Sequence, residues 1–178
     1  MRNWSRVVLY SEAKRLLALL QPTTLDAFDV SGGGLFWPGF NFRSYTSSQY
    51  PEYDVCSGPL PRQVDLVILD NVLEHVRYPN RALKNVFASL RSPGHVFVAA
   101  PFMVKQHLHP VDLHRWTEYG MRCLLEDSGF TNIQSGSWGN SAYVAANLVR
   151  WEPYDEKRHS LANERDCPVQ VWALARRG

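Results

Sequence analysis

Val64-Asp65-Leu66-Val67-Ile68-Leu69-Asp70-Asn71-Val72-Leu73-Glu74-His75-Val76 is the stretch whose reading decides the fold. From Val64 to Leu69 the run is apolar, broken only by Asp65. A strand with one wet face alternates polar and apolar residues; a continuous run suits a strand covered on both faces, as in a parallel sheet. Downstream, Pro79 stands where a helix tolerates proline, and Leu83, Val86, Phe87 and Leu90 repeat at one helical face. Ser92-Pro93-Gly94 is expected to stop that helix, and His95 to Ala100 to form the next strand, ended by Pro101. Thr117 is placed to cap a helix that buries Met121, Leu124 and Leu125 and stops at Gly129. Phe130 to Ser137 and Val169 to Ala175 read as late strands, separated by a helix near Ala142 to Val149.

Upstream, Leu25 to Val30 reads as a strand stopped by Ser31-Gly32-Gly33-Gly34. Before it, Ser5 to Leu20 reads as a helix with Leu9, Leu16, Leu17 and Leu20 on its apolar side, ended by Pro22. Phe40 to Ser48 is a second strand, and Tyr53 to Cys56 a short third segment before a loop marked by Gly58, Pro59 and Pro61. Strands alternating with helices predict an α/β fold, an open and mostly parallel sheet with helices on both faces. Ligands bind such sheets beyond the carboxyl ends of the strands, so the glycine turn after strand one is the first place to look.

The 178 residues suffice for one domain, with 45% hydrophobic and 20% charged residues. It is read as residues 1–178, with an N-terminal helix over 1–22, a cofactor-binding half over 25–100 and a substrate-side half over 101–178. The formal charge of +2 and the lack of any long Lys/Arg run give no reason to expect a nucleic-acid partner. No apolar run reaches membrane-spanning length, and the charged N-terminal segment lacks the core of a signal peptide, so no membrane association and a cytoplasmic location are expected. Cys56, Cys123 and Cys167 are odd in number and widely spaced, implying neither a disulfide framework nor a zinc site. Oligomeric state is not legible.

Several of these pieces, in this order, resemble the class I S-adenosylmethionine-dependent methyltransferases. Asp29-Val30-Ser31-Gly32-Gly33-Gly34 is similar to their first motif, an acidic residue followed by GxGxG. Tyr53-Asp54-Val55-Cys56 resembles the acidic segment after their third strand, and Val64 to Val76 their fourth strand with the LEHV stretch behind it. Leu90 to Val98 is similar to their turn into strand five, and the helix from Arg115-Trp116-Thr117 to Ser128-Gly129-Phe130 to a segment that closes many of these domains. The resemblance spans roughly residues 25 to 138. It implies a Rossmann-like methyltransferase fold in a compact variant, with S-adenosylmethionine as cofactor. It also implies methyl transfer to an oxygen or nitrogen of a small or medium-sized acceptor. By position, Asp29, Ser31, Gly32 and Gly33 would face the methionine part. Asp54 would hold the adenine amino group, the Val55 amide would meet the ring, and Asp70 and Asn71 would stand near the sulfonium and the acceptor.

The pattern also departs from the family. Ser31 replaces its first glycine and Leu35 its last, and Leu35 to Asn41 is too short and too rich in Pro and Gly for the usual helix. Ser47, Ser48 and Gln49 stand where the family has a ribose-binding acid. That contact is therefore weakened, replaced by Ser/Gln hydrogen bonds, or absent. The alternative is a catalytically inactive methyltransferase-like binding or regulatory protein.

A second constellation, His107, His109, Asp112 and His114, lies just after strand five. A neutral histidine there suits a base for an acceptor hydroxyl, and Asp112 suits the group that orients it. His109, His114 and Asp112 are the catalytic candidates. Glu74 and His75 resemble part of the E-x-x-E-H pattern with which some RNA 2′-O-methyltransferases and quinone O-methyltransferases bind a divalent ion, with Asn71 at its first position here; with one more His they could hold such a cation, but the commoner role of the pair is structural and no metal is expected. Aromatic residues such as Phe36, Trp37, Phe102 and Trp138 suit either a substrate pocket or the core.

Overall fold

Leu66 and Ile68 face one side of a central strand, Val67 and Leu69 the other, and all four are buried. This is why the run is apolar throughout: the strand has helices above and below it. The computed structural model describes residues 3–108 and 111–178. Its strands are β1 (Asp26–Asp29), β2 (Ser44–Ser47), β3 (Val64–Asp70), β4 (Leu90–Pro101), β5 (Thr131–Trp138) and β6 (Gln170–Arg177). They form one sheet in the order β2-β1-β3-β4-β6-β5. Strands β1 to β4 run parallel, and β6 pairs antiparallel with both β4 and β5.

The helices are α1 (Trp4–Ala18), α2 (Pro79–Ser89), α3 (Glu118–Asp127) and α4 (Ser141–Asn147). Asn3 caps α1 by accepting from the Ser5 amide, Thr117 caps α3 through the Gly120 amide, and Asn140 caps α4 through the Tyr143 amide. Leu83 and Val86 of α2 and Met121 and Leu125 of α3 share a core with Val67, Val96 and Val98. On the other face, Leu9, Leu16 and Leu17 of α1 pack with Ile68, Phe97 and Leu174, joined by Trp37, Trp138 and Tyr143. Each such buried aliphatic chain contributes about 1.5–3 kcal/mol.

Three local expectations differ from the structure. Tyr53 to Cys56 forms turns rather than a strand, because the Asp54 carboxylate folds back to accept from the Cys56 amide and the Ser57 hydroxyl. The second strand is shorter than Phe40 to Ser48: Trp37–Phe40 is a 3-10 turn, and Asn41 takes a left-handed conformation before β2 begins. Ser92-Pro93-Gly94 does not end a helix. Strand β4 already starts at Leu90, and these residues lie in an irregularity between the Val64–Leu90 and Leu66–His95 pairs, where proline has no amide to donate.

Candidate active site

The parallel strands deliver their carboxyl ends to one edge of the sheet. There the chain leaves β1 at Val30-Ser31, β2 at Ser48-Gln49 and β3 at Asn71. A cleft of ≈ 1040 Å³ opens at this edge, walled by Val30, Ser31, Gln49, Tyr53, Asp54, Val55, Asp70, Asn71, Val72 and Val76 among others. A second cavity, of ≈ 430 Å³, adjoins it and is lined by Arg6, Tyr143, Trp151, Gln170, His75 and His107. Ser31, Asp70, Asn71 and His75 belong to both walls.

Asp29 is fully buried. Its carboxylate accepts from the Ser31 amide (2.8 Å), the Ser31 hydroxyl and the Tyr45 hydroxyl (2.7 Å). Burial and then the bond to Asp29 hold the Tyr45 phenol protonated well above its usual range. Asp29 thus shapes the turn and does not line the cleft. Gly32 and Gly33 have φ of +85° and +83°, a region costly for a side chain. They turn toward β2: a Cβ on Gly32 would lie 2.2 Å from Gln49 Oε1, and one on Gly33 3.0 Å from Ser47 Oγ. Ser31, not either glycine, reaches the cleft wall.

Asp70 is the anionic hub between the two cavities. It accepts from Arg6, from the Tyr10 hydroxyl (3.2 Å) and from the Trp37 indole (3.3 Å). Burial, and then the neighbouring Asp70, push the Tyr10 phenol up to about 12. Asn71, next along, takes φ +56°, and Gln170 Nε2 donates to its side-chain oxygen at 3.0 Å. A left-handed residue other than glycine at a strand end beside a cleft is the kind of strain that functional sites hold. Asp54 and Val55 lie in the cleft wall, with the Val55 carbonyl fixed by Asn85 Nδ2 at 2.8 Å.

Of the His-rich loop, His109 lies outside the described residues. Asp112 pairs with Arg115 and accepts from the His107 amide at 2.9 Å. Arg115 lowers the Asp112 carboxyl to about 2. Asp112 therefore pins the backbone of His107. His114 stacks obliquely near Trp116, its Nε2 is buried with no hydrogen-bond partner among the described residues, and it lines neither cavity. Into the smaller cavity project His107 and His75, and beneath them lies Glu74, fully buried. Glu74 Oε1 stands 3.7 Å from His75 Nε2 and 3.9 Å from His107 Nε2. Burial pushes the Glu74 carboxyl up to about 8.

Sequence reasoning missed Arg6 and Tyr10. Their spacing of four on α1, which puts them on one helical face, was the available signal. It read Glu74 and His75 chiefly as a structural pair and joined them to the His-rich loop only as an alternative metal site, without singling out His107.

No family model matches the chain, and no curated protein matches it. Solved structures do. An S-adenosylmethionine-dependent methyltransferase from Mesorhizobium loti is 19% identical, with a TM-score of 0.62 over 94% of this chain and 98% of that one. One from Thermotoga maritima is 13% identical, with a TM-score of 0.60 over 98% of both chains. The Burkholderia thailandensis 1,6-didemethyltoxoflavin-N1-methyltransferase, solved with that compound and S-adenosylhomocysteine, is 15% identical, with a TM-score of 0.61 over 94% of this chain and 77% of its own. The fold is that of the class I S-adenosylmethionine-dependent methyltransferases, as its mostly parallel six-stranded sheet with helices on both faces also shows. No helix among the described residues is long and apolar enough to cross a membrane.

Proposed function

We propose that the chain is a methyltransferase that uses S-adenosylmethionine to methylate an oxygen or nitrogen of a small or medium-sized acceptor. The observation that carries the reading is the meeting of two cavities at Asp70 and Asn71, over the carboxyl ends of β1 and β3. The larger has the volume for a nucleoside with its amino-acid tail, the smaller for a compact acceptor.

The residues present fit the cofactor. Val55, Val72 and Val76 give the cleft an apolar stretch for a purine, with Asp54 in the same wall. Gln49 stands at the end of β2, where its amide suits a ribose diol. Asp70 offers a carboxylate near a cationic sulfonium, a favourable pairing in a partly dry site. When bound, the cofactor supplies an electrophilic methyl group. The chain's part is alignment: Asp29 and Tyr45 fix the glycine turn, and the Arg6–Tyr10–Trp37 set fixes Asp70. We infer that the acceptor enters on the histidine side of the smaller cavity, where His75 and His107 form the wall. His109, His114 and Asp112 remain candidates to be tested beside them.

The close approach of Gln49 to Gly32 favours one second reading, a methyltransferase-like binding protein without catalysis. Calorimetric titration with S-adenosylmethionine and S-adenosylhomocysteine separates the two. The enzyme binds both at micromolar levels, and Asp54→Asn, which keeps an oxygen for the Cys56 amide, weakens binding about tenfold, roughly 1.4 kcal/mol. Silence toward both ligands in the folded chain would overturn the methyltransferase reading.

A further inference from the structure

We propose that Glu74, His75 and His107 form a binding site for one divalent first-row cation of the zinc or iron(II) kind, at the floor of the smaller cavity. One ligand atom from each residue lies within 4.8 Å of the other two. Both carboxylate oxygens of Glu74 are buried and accept no hydrogen bond from any other described residue. A buried carboxylate with no partner is costly enough that native proteins pair it, protonate it or coordinate a metal with it.

The distances separate a proton from a cation. A proton shared between Glu74 and an imidazole needs about 2.7–3.2 Å between the heavy atoms. The observed 3.7 and 3.9 Å are too long for that. Two atoms bound at about 2.05 Å to one tetrahedral ion stand roughly 3.4 Å apart, so the two Glu74–histidine distances need contract by only a few tenths of an ångström, and the three ligand atoms, now within 4.8 Å of one another, draw in around the ion. The tautomer agrees. His75 Nδ1 lies in hydrogen-bond contact with the Val111 carbonyl, so that nitrogen carries the proton and Nε2 turns a lone pair toward the carboxylate. An ionised Glu74 facing that lone pair is repelled unless a cation lies between them.

The surroundings hold these groups in place. The Glu74 carbonyl accepts from the Leu113 amide (2.8 Å) and the His114 amide (3.3 Å), which ties the His-rich loop to the strand-end turn. The His107 amide is anchored on Asp112, itself clamped by Arg115. Arg6 and Arg115 are each paired with another carboxylate, Asp70 and Asp112, so neither neutralises Glu74 directly. Two imidazoles and one carboxylate are a donor set for zinc or iron(II), and three protein ligands leave a coordination position open. His75 and His107 line the cavity, so that position faces it. If the methyltransferase reading holds, an acceptor presenting a hydroxyl oxygen fits there; the cation site itself does not depend on that reading.

The test uses the full chain, freed of metal with a chelator and titrated with Zn²⁺ against a chromophoric competitor. One equivalent binds, and Zn²⁺ raises the melting temperature of the wild type. Glu74→Gln, an isostere with no charge, and His107→Ala each weaken binding at least about tenfold and abolish the thermal shift. Replacing Cys56, Cys123 and Cys167 by Ser leaves binding unchanged. The site is refuted by no binding in the wild type, by undiminished binding in Glu74→Gln, or by loss with the cysteines. Should His107→Ala fail to fold, Glu74→Gln alone decides, its fold checked by circular dichroism. S-adenosylhomocysteine affinity, measured on the same samples, tests the function separately: cation binding without it sinks the enzyme reading and spares the site.

Discussion

Asp29 offers the sharpest separation of scaffold from ligand contact. Its two oxygens meet three donors, the Ser31 amide, the Ser31 hydroxyl and the Tyr45 hydroxyl, and no part of it reaches solvent. In Asp29→Asn the amide oxygen can keep the Ser31 donors while the NH₂ turns to Tyr45, whose hydroxyl rotates to accept. Three bonds to a charge become neutral ones, at a cost of about 0.5–1 kcal/mol each, and relief of charge burial offsets part of it; the net is about 1–2 kcal/mol. Asp29→Ala instead leaves the Ser31 amide and the Tyr45 hydroxyl without acceptors and opens a small void, for about 3–5 kcal/mol. Urea unfolding followed by tryptophan fluorescence reads both values, and calorimetry reads S-adenosylhomocysteine affinity at a temperature where both variants are folded. The expected pattern is near-wild-type affinity in Asp29→Asn and lost affinity in Asp29→Ala, in step with stability. If Asp29→Asn is as stable as the wild type yet binds no ligand, the charge itself meets the ligand and the scaffold role is wrong.

Gly32→Ala forces a side chain into φ +85° and against Gln49 Oε1, so it should lower stability by about 1–2 kcal/mol, with the urea midpoint as the measure; adding Gln49→Ala recovers the clash but not the backbone cost. At the opposite edge, hydrogen bonds from Arg43, then Ser44 and Arg91, hold the Asp26 carboxyl well below its usual range. A folded-state pKa below the unfolded value gives stability that is present above about pH 4 and is lost as the pH falls further. Asp26→Asn should therefore flatten the acid limb of a stability–pH curve and, at this solvent-screened site, change neutral-pH stability by no more than about 1 kcal/mol.

The sequence made the sheet legible where burial acts on consecutive residues. Val64 to Leu69 announces a strand covered on both faces because no position along it but Asp65 meets water, and Leu83 and Val86 announce the helix laid over it. Boundaries were less legible, and for local reasons. The Asp54 carboxylate bends a segment expected to be extended, and strand pairing begins at Leu90 before a Pro-Gly pair that reads as a stop. The site was legible only as far as it is built from strand ends. Ser31, Asp70 and Asn71 line the cleft because each follows or ends a strand whose position the pattern gives away, and Asp54 joins them from a turn. Arg6 and Tyr10 reach Asp70 from a helix at the other end of the chain's first half, and His107 meets Glu74 only because a loop amide lands on the Glu74 carbonyl. Contacts of that kind depend on how loops fold over a finished sheet. Beyond the one-face spacing of Arg6 and Tyr10, periodicity carries no trace of them. The two glycines expected at the ligand turn toward Ser47 and Gln49, while Ser31 beside them lines the cleft.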